Sequence, residues 1–143
     1  MSIIQCQTTT FKTNLLSGVE NFTLTSPYTY KIALYTGLAS LNNSTTAYTS
    51  SNEVVSSGYT AGGKALTISN PPTGDTLNNI GWISFNNAVW SGVSFTARGA
   101  LIYNSSTNAS IFVLNFGNDI TCTSNFTVTF PTATSTTAVL TIS

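Results

Sequence analysis

Four carboxylates, two thiols and no histidine are the groups with which this chain could do chemistry. The carboxylates, Glu20, Glu53, Asp75 and Asp119, stand singly, and none is close to another in sequence. Glycoside hydrolysis needs two carboxyl groups about 5 to 9.5 Å apart, and nothing in the spacing places two together. The absence of histidine removes Ser-His and Cys-His nucleophiles, the usual zinc ligand sets and the commonest general base at once. Cys6 and Cys122 lie far apart without metal-ligand spacing, which reads as two unpaired thiols. Gly62-Gly63-Lys64 lacks the spacing of a phosphate-binding loop, and no Cys-x-x-Cys, Gly-x-Ser-x-Gly or Ser-x-x-Lys occurs. Asp75 and Asp119 sit in turn-like contexts that suit Asx turns better than calcium ligation. The expectation is a protein that is not an enzyme and carries no metal and no cofactor.

What remains is binding. Lys12, Lys31, Lys64 and Arg98 balance the four acids, and none lies in a patch, so no nucleic-acid footprint exists. No run reaches the ~18 apolar residues of a membrane span, and Met1 to Thr10 lack the pattern of a signal peptide. Synthesis in a cytoplasm, with no membrane partner, is expected. Only 6% of residues are charged, whereas 41% are hydrophobic and 11% aromatic. That aromatic and β-branched content predicts a folded chain. Zero formal charge with a mean hydropathy of +0.18 leaves little electrostatic protection against association. Such a surface suits a subunit of an assembly.

The elements that must carry that surface read as mainly β. Phe11, Leu15, Val19 and Phe22 fall on one helical face, predicting a helix over 9–22 with Gly18 as its weak point. Tyr30 to Thr36 alternates and predicts a strand with one buried face. The polar stretch Leu41 to Ser57 reads as a long loop with a short strand at Glu53 to Val55, and as a place for partner contact. Asn70-Pro71-Pro72-Thr73-Gly74-Asp75 reads as a turn. Further strands are predicted at Ala65 to Ser69, Ile80 to Phe85, Val93 to Tyr103, Ser110 to Phe116, Asn125 to Phe130 and Ala138 to Ile142. Their spacing indicates an antiparallel β-sandwich or barrel with one short N-terminal helix. The predicted organisation is one domain over 1–143, with an arm at 1–8, the helix at 9–22 and the sandwich at 28–143.

Several stretches, FKTNLLSGVENF, YKIALYTGLASLNNSTTAYTSSNEV, GYTAGGKALT, FTARGALIYNSS, LNFGND and FTVTFPTATSTTAVLTIS, cover nearly the whole chain in order. As an ordered set they resemble a widespread family of small tailed-bacteriophage virion structural proteins. The chain departs from that family in lacking a basic or histidine residue near Glu20 and in having fewer acids in its later strands. The resemblance implies a place in a virion and supplies no active site. Small size, neutrality and an unrepeated domain favour a capsid decoration or cement protein that binds the major capsid protein of the assembled shell. It would act as a homo-oligomer, a trimer or a dimer. The alternative is a tail fibre, tip or adaptor component, bound to tail proteins and to host glycans through exposed aromatics.

The expected contact residues are Ile3 and Ile4 in the arm Ser2 to Thr8, Asn43 and Tyr48 in the Asn42 to Ser51 loop, Trp90, and Arg98. The uncharged arm has no obvious partner within a small domain and is expected to add to a neighbour's sheet edge. Trp82 and Trp90 flank Phe85 and read as core or as an aromatic contact surface. Arg98 in mid-strand points to solvent, to a neighbouring subunit, or to an acidic partner within the fold.

Overall fold

A computed structural model describes residues 2–143. The fold is mainly β with one short helix, as the alternation of β-branched and aromatic residues predicts. In chain order the elements are β1 (Cys6–Gln7), α1 (Thr9–Leu16), β2 (Tyr30–Tyr35), β3 (Lys64–Ala65), β4 (Ile68–Asp75), β5 (Ile80–Phe85), β6 (Ala88–Ser91), β7 (Phe95–Asn104), β8 (Ser110–Cys122), β9 (Asn125–Val128) and β10 (Leu140–Ile142). A five-stranded sheet in the order β1-β8-β7-β2-β3 faces a three-stranded sheet β10-β5-β4 and a two-stranded ribbon β6-β9. All strand pairs are antiparallel. The arrangement is sandwich-like.

The main core lies between these layers. Tyr30, Ile32 and Leu34 of β2 and Ala100 and Ile102 of β7 meet Ile83, Phe85, Trp90, Phe126 and Phe130 from the opposite side. A second cluster lies behind the large sheet, where Ala33, Tyr35, Leu101, Tyr103 and Val113 pack under Ile3, Ala39 and Leu41. Strand β2 is therefore buried on both faces, where alternation had predicted one. Ala33 and Tyr35 reach the second cluster because the arm and the long loop cover that side.

Helix α1 is shorter than predicted, ending at Leu16 instead of residue 22. Gly18 takes φ +73°, while its N–H bonds Leu15 O at 3.2 Å and the Val19 N–H bonds Asn14 O at 2.9 Å. This left-handed stop satisfies the last carbonyls of the helix. Phe22 still reaches the core through extended chain and stacks on Tyr30 at 4.6 Å. At the other end the Thr8 hydroxyl accepts from Phe11 N at 3.2 Å and donates to Ser110 O at 3.2 Å, capping the helix and tying it to β8.

Other predicted boundaries move for physical reasons. Asn70 to Asp75 belongs to β4 and is not a turn; the register slips twice between Ile68 and Thr73. Pro71 and Pro72 fall within the second slip, between Asn70 and Thr73 on an edge strand, so neither missing N–H breaks a ladder bond. The turn follows at Thr76 to Asn79, with Asn79 at φ +57°. Glu53 to Val55 is no strand: Glu53 makes an isolated bridge to Tyr35, and Val55 is 94% exposed. Strand β8 runs on past Phe116 to Cys122 through a bulge, since Ala97 pairs Ile120 while Gly99 pairs Asn115. Beyond it the β7-β8 ladder continues through Val93 N to Ser124 O, 2.9 Å, into the β6-β9 ribbon.

Candidate functional site

The arm is seated in its own domain, which overturns its expected role on a neighbour's sheet. Cys6 and Gln7 pair with Val113 and Phe112, and Ile4 N bonds Leu41 O at 2.8 Å while Leu41 N bonds Ser2 O at 3.0 Å. Ile3 is 7% exposed. It lies over Gly99, where an added Cβ would stand 2.9 Å from the Ile3 side chain and 2.5 Å from Leu114 O. The glycine makes room for the isoleucine. Ile4 points away and is half exposed, and Cys6 and Cys122 are both free thiols.

The long loop is pinned by a buried carboxylate that sequence reading treats as a scattered charge. Glu53 Oε1 accepts from Tyr59 Oη at 2.7 Å and from Gly62 N at 2.8 Å, and Oε2 accepts from Tyr48 Oη at 2.6 Å. Tyr35 Oη donates to Thr49 O at 2.6 Å, and Tyr103 Oη donates to Gly62 O at 2.7 Å. Burial, reinforced by the Glu53 charge, pushes the Tyr35, Tyr48 and Tyr59 hydroxyls far above the usual tyrosine range. These phenols are fixed donors, so the cluster acts as a clamp on the loop. Tyr48, expected at a partner interface, stacks on Tyr103 at 4.8 Å. Asn43 keeps an exposed side chain, and its carbonyl accepts from Thr9 N at 2.9 Å.

Arg98 finds its acidic partner within the fold, with Nη1 3.6 Å from Asp119 Oδ1 across the β8 bulge. Trp90 is 4% exposed, packed against Tyr59 and Phe126, with the Lys64 ammonium 5.9 Å from its ring. That burial removes Trp90 as a partner contact and as a glycan platform. Glu20 Oε2 accepts from Tyr30 Oη and Asn104 Nδ2, both at 3.0 Å. Among the described residues no group of three His, Cys, Asp or Glu side chains comes together, and no helix is long and apolar enough to cross a membrane.

The largely apolar concavity lies elsewhere. A groove of about 390 Å³ opens between α1, the β4-β5 hairpin and β10, and Phe11, Leu15, Phe22, Trp82, Leu140 and Ile142 line it with no charged residue. Exposed apolar side chains stand on the elements that frame it: Leu16 at the end of α1, Leu77 in the β4-β5 turn and Ile142 on β10. The tryptophan pair thus divides, with Trp90 in the core and Trp82 at the groove. The sequence signal for this site was the Phe11/Leu15 stripe, but nothing in GWISFNNAVW tells which tryptophan lies at the groove. A surface of this kind can desolvate an apolar side chain of a partner, and it holds no group that could transfer a proton.

No protein-family model matches this chain, and it has no match among curated proteins or among solved structures.

Proposed function

We propose that the protein is a virion structural protein of the decoration type, which binds the assembled capsid shell and adds contact between shell subunits. The observation that carries this reading is the uncharged apolar groove around Trp82. Burying apolar area is the main source of affinity open to such a surface, at about 25 cal/mol per Å². The shell surface it covers would have to offer apolar side chains that fit this groove. The resemblance of the ordered stretches, from FKTNLLSGVENF to FTVTFPTATSTTAVLTIS, to a phage virion family is what suggests the same setting. A pinned loop and a seated arm add to this, because a rigid module loses little conformational entropy when it docks.

Sedimentation of the purified protein with isolated capsid shells and, separately, with isolated tails tests the reading. Saturable pelleting with shells is expected, and Trp82→Ala or Ile142→Lys should abolish it while the circular dichroism of the protein stays unchanged. Binding to tails alone, or shell binding that survives both substitutions, would overturn it.

A further inference from the structure

Among the described residues, strand edges are blunted one after another, with a single exception. The large sheet ends in two-residue strands, β1 and β3. The edge of β4 carries Pro71 and Pro72. The free side of β6 is occupied by the Lys64 ammonium on Val89 O. Strand β10 spans three residues, and Gln7 Nε2 donates to Thr141 O at 3.1 Å beside it. The middle of β8 is deformed by the bulge that holds Gly117 at φ +85° and Asp119. Short strands, proline, lysine and bulges are the devices by which sheets avoid edge-to-edge pairing.

None of them protects the stretch from Ile120 through β9. β8 pairs β7 there and β9 pairs β6, leaving the other side of both strands without a neighbour among the described residues. That side forms a concave strip of about 450 Å³ lined by Phe116 and by residues 120–129. From Ile120 to Ser143 the sequence has no charged residue, and Asn125 to Phe130 (NFTVTF) has no proline. Phe126, Val128 and Phe130 point inward, whereas Thr127 and Thr129 are exposed. This is an uncharged, β-branched edge with its backbone groups open.

We propose that this edge pairs with the same edge of a second copy, β9 against β9 in antiparallel sense about a two-fold axis. An antiparallel edge is self-complementary under that symmetry, so one surface serves both partners. Two copies joined there would form a continuous four-stranded sheet β6-β9-β9-β6. With no charge on either edge, the copies meet without like-charge repulsion, and Thr127 and Thr129 can face their counterparts across the junction. A partner without an extended free strand would leave the open N–H and C=O groups unmatched. The pairing is a property of the protein alone and does not depend on shell binding.

Analytical ultracentrifugation of the full chain, with hydrogen exchange read at residues 120–129, tests it. A dimer is expected, with amides of Asn125 to Val128 becoming more protected as concentration rises. The double substitution Thr127→Lys, Thr129→Lys should weaken dimerisation by about tenfold or more, and Ser57→Lys, on an exposed loop elsewhere, should leave it unchanged. An unchanged melting temperature shows that the lysine variant is folded. A chain that stays monomeric at high concentration would overturn the proposal. So would a dimer that survives the lysines, or one whose 120–129 amides exchange freely.

Discussion

The Tyr59 hydroxyl donates to Glu53 Oε1 at 2.7 Å and accepts the Leu34 N–H at 2.9 Å, so one phenol couples a buried carboxylate to strand β2. Removing that carboxylate strands three donors: Tyr48 Oη, Tyr59 Oη and Gly62 N. Glu53→Ala should lower stability by about 3 kcal/mol, and Glu53→Gln, which keeps acceptor capacity on one atom, by about half of that. Urea denaturation followed by tryptophan fluorescence measures both. A loss under about 0.5 kcal/mol for Glu53→Ala would mean that the clamp does not hold the loop.

The arm gives a second test, because Ile3 and Ile4 are neighbours in sequence with opposite environments. Ile3→Ala should cost about 2–4 kcal/mol through the cavity left above Gly99. Ile4→Ala should stay within about 0.5 kcal/mol. Equal small effects would mean that the arm detaches in solution.

Trp90 and Trp82 should likewise separate. Trp90→Ala removes a ring from the core and is expected to cost about 3–5 kcal/mol. Trp82→Ala should keep a cooperative unfolding transition and lose shell binding instead. Thermal melts and shell sedimentation of the two variants check the contrast, and a reversed pattern would exchange the assigned roles.

Acid should loosen the β4-β5 turn. Asp75 is held at a pKa of about 2, below the ordinary 3.8, chiefly because Asn78 and Ser135 side chains donate to its carboxylate. Its Oδ1 also accepts Leu77 N and Asn78 N. A depressed carboxyl pKa contributes stability that is present above the unfolded value and is lost as pH falls through the folded one. Stability should therefore decline between about pH 4 and pH 2, and Asp75→Asn should flatten the curve in that window. A variant with the same acid profile as the wild type would remove Asp75 as a source of it.

Much of the fold is legible in the sequence because it follows local pattern. Alternation in YKIALYT and FTVTF leads directly to β2 and β9, and the Phe11/Leu15 spacing to α1. What is not legible depends on contacts distant in sequence. Gly18 reads as a weak point within a helix, yet its left-handed φ ends the helix. The proline pair reads as a turn because edge position is a property of the sheet and not of the segment. At the candidate site, Arg98 has an acidic partner within the fold, one of the three readings open from the sequence. Glu53 carries no local mark of burial, since Tyr48, Tyr59 and Gly62 converge on it only after the loop has folded back on β2. Ile3 looked unpartnered for the same reason, its place being made by Gly99, far along the chain.

If the proposed decoration role holds, a phage encodes this chain, and counting and locating the protein in its purified virions tests the proposal most directly. Quantitative mass spectrometry of purified particles, with imaging of labelled protein, should give a copy number comparable with that of the major capsid subunit and density spread over the capsid surface. A handful of copies per particle, or label confined to the tail, would contradict the account.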